Sequence, residues 1–448
     1  LDYLDSFSAF AAGLSFDELP ATVRKHAGWI LADTLAAIVA GAAEPELRSW
    51  AALQPSGPAT LVGLGQQTQP VLAALVNGTA GTFLEMDEGN RFARGHPAVH
   101  VLPSILALAQ ERRSDTQSFL SALVAGYEVG SRLGAASQLR GSMHPHGTWG
   151  TVGAAAACAR LLGRDAAAMR ETLNVASSMT IATSKRTMLE GGLVRNVYAG
   201  LSNQNGYLAA QLAGCGFTGE RDGLRSLFGA IVSESFDTGK LMDGLGTDWH
   251  LAHNYFKLHS CCRYNHGTLD ALDALQSREG LPAPQDIERI EVVSYSLAAE
   301  LDDTAPRNTL AAKFSVPFAV ATRLVHGSSG LASFTWDAVR NEEVQALARK
   351  VSITEDPAMT KRLPHERPAR ITILDRGGRR WVGEAGVNRG DDAAPYTPAE
   401  LEAKFLELTQ RAWPAAHCHE VLDATHALCA GQVSMEAWFL LLRQAPAR

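Results

Sequence analysis

The sequence predicts a mainly α protein, with a large all-helical domain and a smaller α+β domain. Three observations carry this. The chain has 448 residues, more than one ordinary core accommodates, so two domains are expected. Up to about residue 254, apolar positions recur at spacings of three and four, the helical period. After residue 255 short period-two runs alternate with helical stretches, the pattern of an α+β unit.

In order along the chain, the stretch DELPATVRKHAGWILADTLAAIVAGA places Val23, Ala27, Ile30, Leu31, Leu35 and Ile38 on one helical face. SDTQSFLSALVAGYEVGSRLG predicts a second helix, with Ser114 and Gln117 at capping-box spacing. The alanine run of TVGAAAACARLLG permits very close helix packing, and ETLNVASSMTIATS and SNQNGYLAAQLAGCG add further helices to the bundle. Beyond residue 255, IERIEVVSYSLA and RPARITILD read as strands. Gly377 and Gly378 supply a hairpin turn before RRWVGEA. AVATRLVHG and EEVQALARK are helical between them. From Pro398 the chain is helical again, opened by a Thr397 cap, and these helices fit either domain.

Bulk composition narrows the function. A formal charge of −7 argues against general nucleic-acid binding, although a local pocket can still be positive. No apolar run reaches membrane-spanning length, and LDYLDSFSAF lacks the basic and apolar regions of a secretory signal. Six cysteines form neither a disulfide framework nor a C-x-x-C pair. Cys158 and Cys215, in alanine-rich surroundings, are expected to be buried thiols, and His417-Cys418-His419 a solvated turn or helix face. A cytoplasmic protein is expected, without membrane or nucleic-acid partners.

Three polar clusters interrupt the apolar runs. EMDEGNRFARGHPAVHVLP carries Glu85, Asp87, Glu88, His96 and His100. GSMHPHGTWG carries His144 and His146, and NYFKLHSCCRYNHG carries Lys257, His259, Cys261, Cys262, Arg263 and His266. For any single histidine, a structural hydrogen-bonding role is the ordinary explanation. The two His-Pro pairs carry more weight, because proline stiffens the chain beside a positioned acid or base. A metal held by His96 with His100, or by His144 with His146, alongside Asp87 is the competing chemistry. The spacing straddles a proline and lacks the helical frame of H-E-x-x-H, so no metal is expected. Neither a dinucleotide fingerprint nor G-x-S-x-G is present.

In this order and spacing the clusters resemble the MmgE/PrpD family, which includes 2-methylcitrate dehydratase, cis-aconitate decarboxylase and iminodisuccinate epimerase. The resemblance rests on the acidic run leading to HP-x-x-x-VLP (Glu85–Pro103) and on HP-x-x-x-x-G (His144–Gly150). It extends through K-x-x-x-C-C-R-x-x-H (Lys257–His266), AKFS (Ala312–Ser315) and GDDAAPYTPAELEAKF. It implies a cofactor-free homodimeric enzyme acting on a small anionic carboxylic acid, with its site between the two domains. It also implies that helices 393–448 complete the helical domain 1–254, leaving 255–392 as the α+β domain.

Proton abstraction beside a carboxylate needs a base, and cations to hold the developing charge. The resemblance assigns His96 and His144 as the acid/base pair, with Glu85 or Asp87 orienting a histidine or shuttling a proton. It assigns Lys257 and Arg195 to substrate carboxylates, and Cys262, His266, Tyr198 and Phe318 to substrate-binding positions. His100 falls where the motif carries no functional residue and is expected to be structural.

Several positions depart from the family pattern. Glu85 replaces the first aspartate of D-x-D-D, and RNVYAG puts Arg195 and Tyr198 where K-P-x-H-x-G has lysine and histidine. Cys262 replaces the decarboxylase's histidine, and Phe318 a tyrosine. Arginine is not a neutral exchange for lysine at a geometric site. These departures count against decarboxylation and weaken transfer of the dehydratase's own substrate; a 2-methylcitrate dehydratase-like hydro-lyase is the leading reading. An epimerase is second, because its loop resembles RGHP here, and a non-catalytic carboxylate-binding paralogue is a third possibility.

Overall fold

A computed structural model describes residues 2–446. The helix Ala21–Ala42 contains every face residue expected from the periodicity, all of them buried. From Ile30 onward it is buried on all sides, so it is a central rod and not an amphipathic surface helix. Asp33 is buried within that rod. Lys404, from the helix Pro398–Thr409, forms an ion pair with it and donates to the Met86 carbonyl at 2.7 Å. Trp413 and Trp438 share the core that contains Ile30, Leu35, Leu102 and Phe119. The C-terminal helices therefore return to the first helical layer, and one of them braces the loop that follows Glu85.

The helices Thr116–Ala136 and Trp149–Leu161 approach as closely as the alanine run suggests. A Cβ on Gly126 would lie 2.6 Å from the Ala157 Cβ and 2.7 Å from the Gly153 carbonyl. The cap of the first of these helices differs from the expectation. Asp115, not Ser114, is the N-cap, and its carboxylate accepts from the Ser118 N–H. At the C-terminal helix the expected cap holds, as Thr397 and Glu400 close a full capping box.

The four-stranded sheet of the smaller unit has the order Arg380–Ala385, Ala369–Asp375, Ile287–Ser294, Val351–Glu355. Its first three strands are antiparallel neighbours, and the last runs parallel to Ile287–Ser294. Val351–Glu355 escaped the sequence reading because it is an edge strand with mostly exposed positions, so it carries no clean alternation. At the hairpin only Gly378 takes the positive φ, +83°. The core of this unit is separate, built from residues such as Leu272, Ile290, Phe318, Val344 and Ile371.

The helical region also holds two-stranded ribbons, Ala59–Leu61 with Gln66–Thr68 and Ser137–Leu139 with Ser233–Phe236. A third short pairing joins Gly89–Asn90 to Asn254–Tyr255, which ties the acidic loop to the segment that enters the smaller unit. Two to four residues are too few to register as a period. All six cysteines are free. Cys158 is buried, whereas Cys215 is exposed because it lies just past the end of Val197–Gly214. Cys418 faces the core from the helix Ala415–Cys429, leaving His419 outside. Among the described residues no single helix is long and apolar enough to cross a membrane.

Candidate active site

The acidic loop leaves the helix Pro70–Thr82 through Glu85, whose φ of +56° lies in the left-handed region that non-glycine residues seldom adopt. Two contacts hold it there. The Leu84 carbonyl accepts from Ser260 Oγ at 2.8 Å, and the Gly89–Asn90 pairing fixes the far end. Gly89 has to be glycine, because a Cβ would lie 2.3 Å from the Tyr255 hydroxyl.

Glu88 organises the rest of the loop. Its carboxyl accepts from the Ala98 N–H at 2.9 Å and meets the Tyr127 hydroxyl at 3.0 Å. Burial pushes its pKa up to about 8, so it is protonated at neutral pH. Its backbone carbonyl lies 2.6 Å from His96 Nδ1. That contact requires a proton on Nδ1 and leaves the lone pair on Nε2. Asp87 Oδ2 stands 3.2 Å from the same Nδ1. Burial holds His96 below its ordinary value.

The second wall is the turn His144-Pro145-His146. Thr183 Oγ1 donates to the carbonyls of both histidines, at 2.7 and 2.9 Å. Two donors face the His144 ring, the His146 backbone N–H at Nδ1 (3.1 Å) and Arg195 Nε at Nε2 (3.3 Å). A neutral imidazole has one lone pair for these two donors, and burial followed by the Arg195 charge holds His144 well below its ordinary pKa. In this arrangement His144 is an acceptor that steers Arg195 and is poorly suited to take up a second proton. Arg195 is itself buried, ion-paired to Glu85, and stacked 5.2 Å from the Phe314 ring centre. Burial opposes ionisation of Glu85, but the charges of Arg195 and Lys257 outweigh it and hold the carboxylate below its usual range.

The third wall comes from the junction segment. Lys257 Nζ lies 3.7 Å from Glu85 and 3.6 Å from Asp87, fully enclosed and without a hydrogen bond. Cys262 caps the helix Arg263–Glu279, with its thiol pushed up to about 11 by burial. Arg263 Nη2 donates to Asp391 at 2.9 Å, and its Nη1 meets His266 Nδ1 at 3.0 Å.

Glu85, His96, His144, Arg195 and Cys262 line one cavity of about 180 Å³. Asp87 and Lys257 are outside its lining but touch His96 or Glu85, which are in it. The other three sequence candidates do not reach the cavity. His266 is a fully buried brace for Arg263. The Tyr198 ring stands edge-on to His144, 6.0 Å away, from the start of a helix. Phe318 lies in the first turn of Val316–His326 and packs on Phe334 in the apolar core. The aromatic that does reach the cavity is Phe314 of AKFS itself, in the turn between two helices.

His100 is buried against His146 and Trp149, with neither ring nitrogen hydrogen-bonded. Cavity residues that the sequence reading left without a role include His146, Lys185, Arg263, Phe314 and Arg367. Arg263 lay inside a quoted motif. Arg367, just before a strand, carried no signal. Among the described residues no group of three or more His, Cys, Asp or Glu side chains is arranged to hold a metal ion.

Chemically, the cavity offers the free lone pair of His96 Nε2 with an anion beside that ring, a second imidazole, His146, whose ring has no hydrogen bond to the protein, and several cations. Comparison with known proteins identifies the family. The MmgE/PrpD N-terminal domain matches residues 5–236, and the MmgE/PrpD C-terminal domain matches residues 259–428. A cis-aconitate decarboxylase of Aspergillus terreus is 28% identical over 381 residues, 77% of this chain and 76% of the relative. A cis-aconitate decarboxylase-like protein of Aspergillus oryzae is 25% identical over 423 residues, 87% of each chain. Human cis-aconitate decarboxylase is 26% identical over 358 residues, 75% of this chain and 72% of the relative. With both domains matched over most of its length, this chain belongs to the MmgE/PrpD family.

Proposed function

We propose that the protein is a lyase that moves a proton at a carbon beside a carboxylate of a small polycarboxylic acid. The observation that carries the reading is His96. Its Nδ1 proton is committed to the Glu88 carbonyl, so its free Nε2 belongs to a residue that lines a cation-rich cavity. Burial keeps that imidazole neutral at pH 7, ready to accept a proton. Once formed, the imidazolium is stabilised by Asp87 at 3.2 Å. Arg195 supplies positive charge for the electron pair that develops on the substrate carboxylate, and it keeps Nη2 without a hydrogen-bond partner in the protein.

The relatives' names favour carbon dioxide as the leaving group. In that reaction His96 Nε2 first takes up a proton from water, with Asp87 steadying the imidazolium. The C–C bond to a carboxylate then breaks, carbon dioxide leaves, the bond's electron pair stays on the adjacent carbon, and His96 returns its proton to that carbon. A hydro-lyase is the second reading, favoured because a single imidazole serves it as well. His96 would take the α-proton, the C–O bond would break, and the same imidazolium would protonate the departing hydroxide on the same face. His144, with N–H donors at both nitrogens, is not needed as a second acid in either case.

Proton NMR in heavy water tests this with cis-aconitate, citrate, 2-methylcitrate and aspartate-like acids. Release of carbon dioxide with one deuteron gained at carbon is the expected result. Loss of water would select the hydro-lyase, and exchange without loss of either group would select an epimerase. Binding of these acids with neither loss of carbon dioxide or water nor proton exchange overturns the enzyme reading. His96→Asn should lower the rate by about 10²–10⁴-fold.

A further inference from the structure

Four arginines are buried among the described residues: Arg132, Arg195, Arg263 and Arg367. Three have carboxylate partners, Arg132 with Glu128 at 3.0 Å, Arg195 with Glu85, and Arg263 with Asp391 at 2.9 Å. Arg367 has none, although it is only 3% exposed. Its guanidinium makes no hydrogen bond to the protein, and Nη1 is fully enclosed without a partner. Aromatic faces surround it instead, with the ring centres of Tyr255 and Tyr264 at 5.4 and 5.7 Å. A guanidinium taken out of water without a counter-charge is unfavourable unless an anion arrives to meet it.

Arg367 lines the same cavity as His96 and Arg195. Its backbone is packed tightly, since a Cβ on Gly267 would lie 2.7 Å from the Arg367 carbonyl oxygen. The side chain therefore projects from a fixed point. Arg263 shares the Tyr255 ring with it, 4.4 Å from the ring centre, so a second positive charge stands nearby. A rigid, planar donor fork that lacks a protein partner suits a carboxylate.

We infer that Arg367 is a specificity residue that binds a second carboxylate of the substrate, at the opposite end from the group held by Arg195. The inference rests on the reading of this cavity as a carboxylic-acid site. A monocarboxylate would satisfy Arg195 and leave Arg367 bare. A di- or tricarboxylate satisfies both cations, and the cavity selects for it.

Calorimetric binding of succinate, tricarballylate and butyrate to the whole protein tests this. The wild type should prefer the first two to butyrate by about 100-fold, the scale of a buried charge pair. R367Q should lose most of that preference while binding butyrate within about threefold of wild type. R367K, which keeps the charge but not the fork, should fall between them. If R367Q does not fold, R367K and guanidinium rescue of R367A make the same test. An R367Q protein that melts like the wild type and keeps the full preference overturns the inference, as does an R367K protein that loses nothing. Turnover and proton exchange of cis-aconitate, citrate, 2-methylcitrate and aspartate-like acids by the same proteins separate the two ideas. An Arg367-dependent preference with neither turnover nor exchange refutes the lyase reading alone, and turnover with an unchanged preference refutes this inference alone.

Discussion

Replacing Glu88 by Gln should leave the His96 loop in place and remove a pH dependence. The folded protein holds the Glu88 carboxyl protonated up to about pH 8, against 4.5 for an ordinary glutamate. Between those values the folded state keeps a proton that the unfolded state has released, so stability falls as pH rises. One pKa unit corresponds to about 1.4 kcal/mol, and between pH 6 and 8 the linkage integrates to a loss of about 2 kcal/mol. Glutamine has the same shape and does not titrate. Its carbonyl can accept from the Ala98 N–H while its amide meets the Tyr127 hydroxyl, and the backbone carbonyl that orients His96 is unchanged. The assay is urea unfolding at pH 6, 7 and 8, taking the transition that reports the helical core. Wild type should lose about 2 kcal/mol more than E88Q across that range, so that E88Q becomes relatively more stable at alkaline pH. Parallel pH dependences would show that Glu88 is ionised in the folded protein. The account of the loop would then be wrong at its centre.

Lys257→Met should cost about 3–5 kcal/mol, because it leaves Glu85 and Asp87 facing each other without their shared cation; thermal melts check this. Lys404→Met should be similarly destabilising by stranding Asp33, whereas the double change with Asp33→Asn should recover most of the loss, an effect that a double-mutant cycle in urea reads directly. Phe314→Tyr should alter kcat/KM because its ring lines the cavity. Phe318→Tyr should mainly lower the melting temperature by burying a hydroxyl in the apolar core. With His96 held below 6.5 by burial, base-dependent proton exchange should stay level from pH 8 down past 6.5 and fall only on further acidification; a midpoint above 6.5 would contradict the environment described.

What the sequence disclosed followed from how local each signal was. Helices of a dozen residues or more announce themselves by period, and the His96-Pro97 and His144-Pro145 turns mark themselves with proline. Pairings across long separations leave no such mark. Glu85 and Arg195 are 110 residues apart, and nothing in EMDE or RNVYAG says that one neutralises the other. That single pairing changes the meaning of both residues, since Arg195 arrives at the cavity partly neutralised and Glu85 is committed as its counter-ion.

Phe314 and Phe318 show a second limit. Four residues separate them, close to one helical turn, so a helix through AKFSVPF would put both on one face. The chain instead breaks at Phe314, with φ −109° and ψ 30°, and restarts with Ser315 as the cap. The break sends one ring to the cavity and the other to the core. Arg367 marks the third limit, because an arginine ahead of a strand looks solvated in sequence. Only the count of buried arginines against their carboxylates shows that it lacks a partner. Arginines that are neutralised inside the protein hold the site together, and the one buried arginine left without a carboxylate partner marks where the substrate's charge must go.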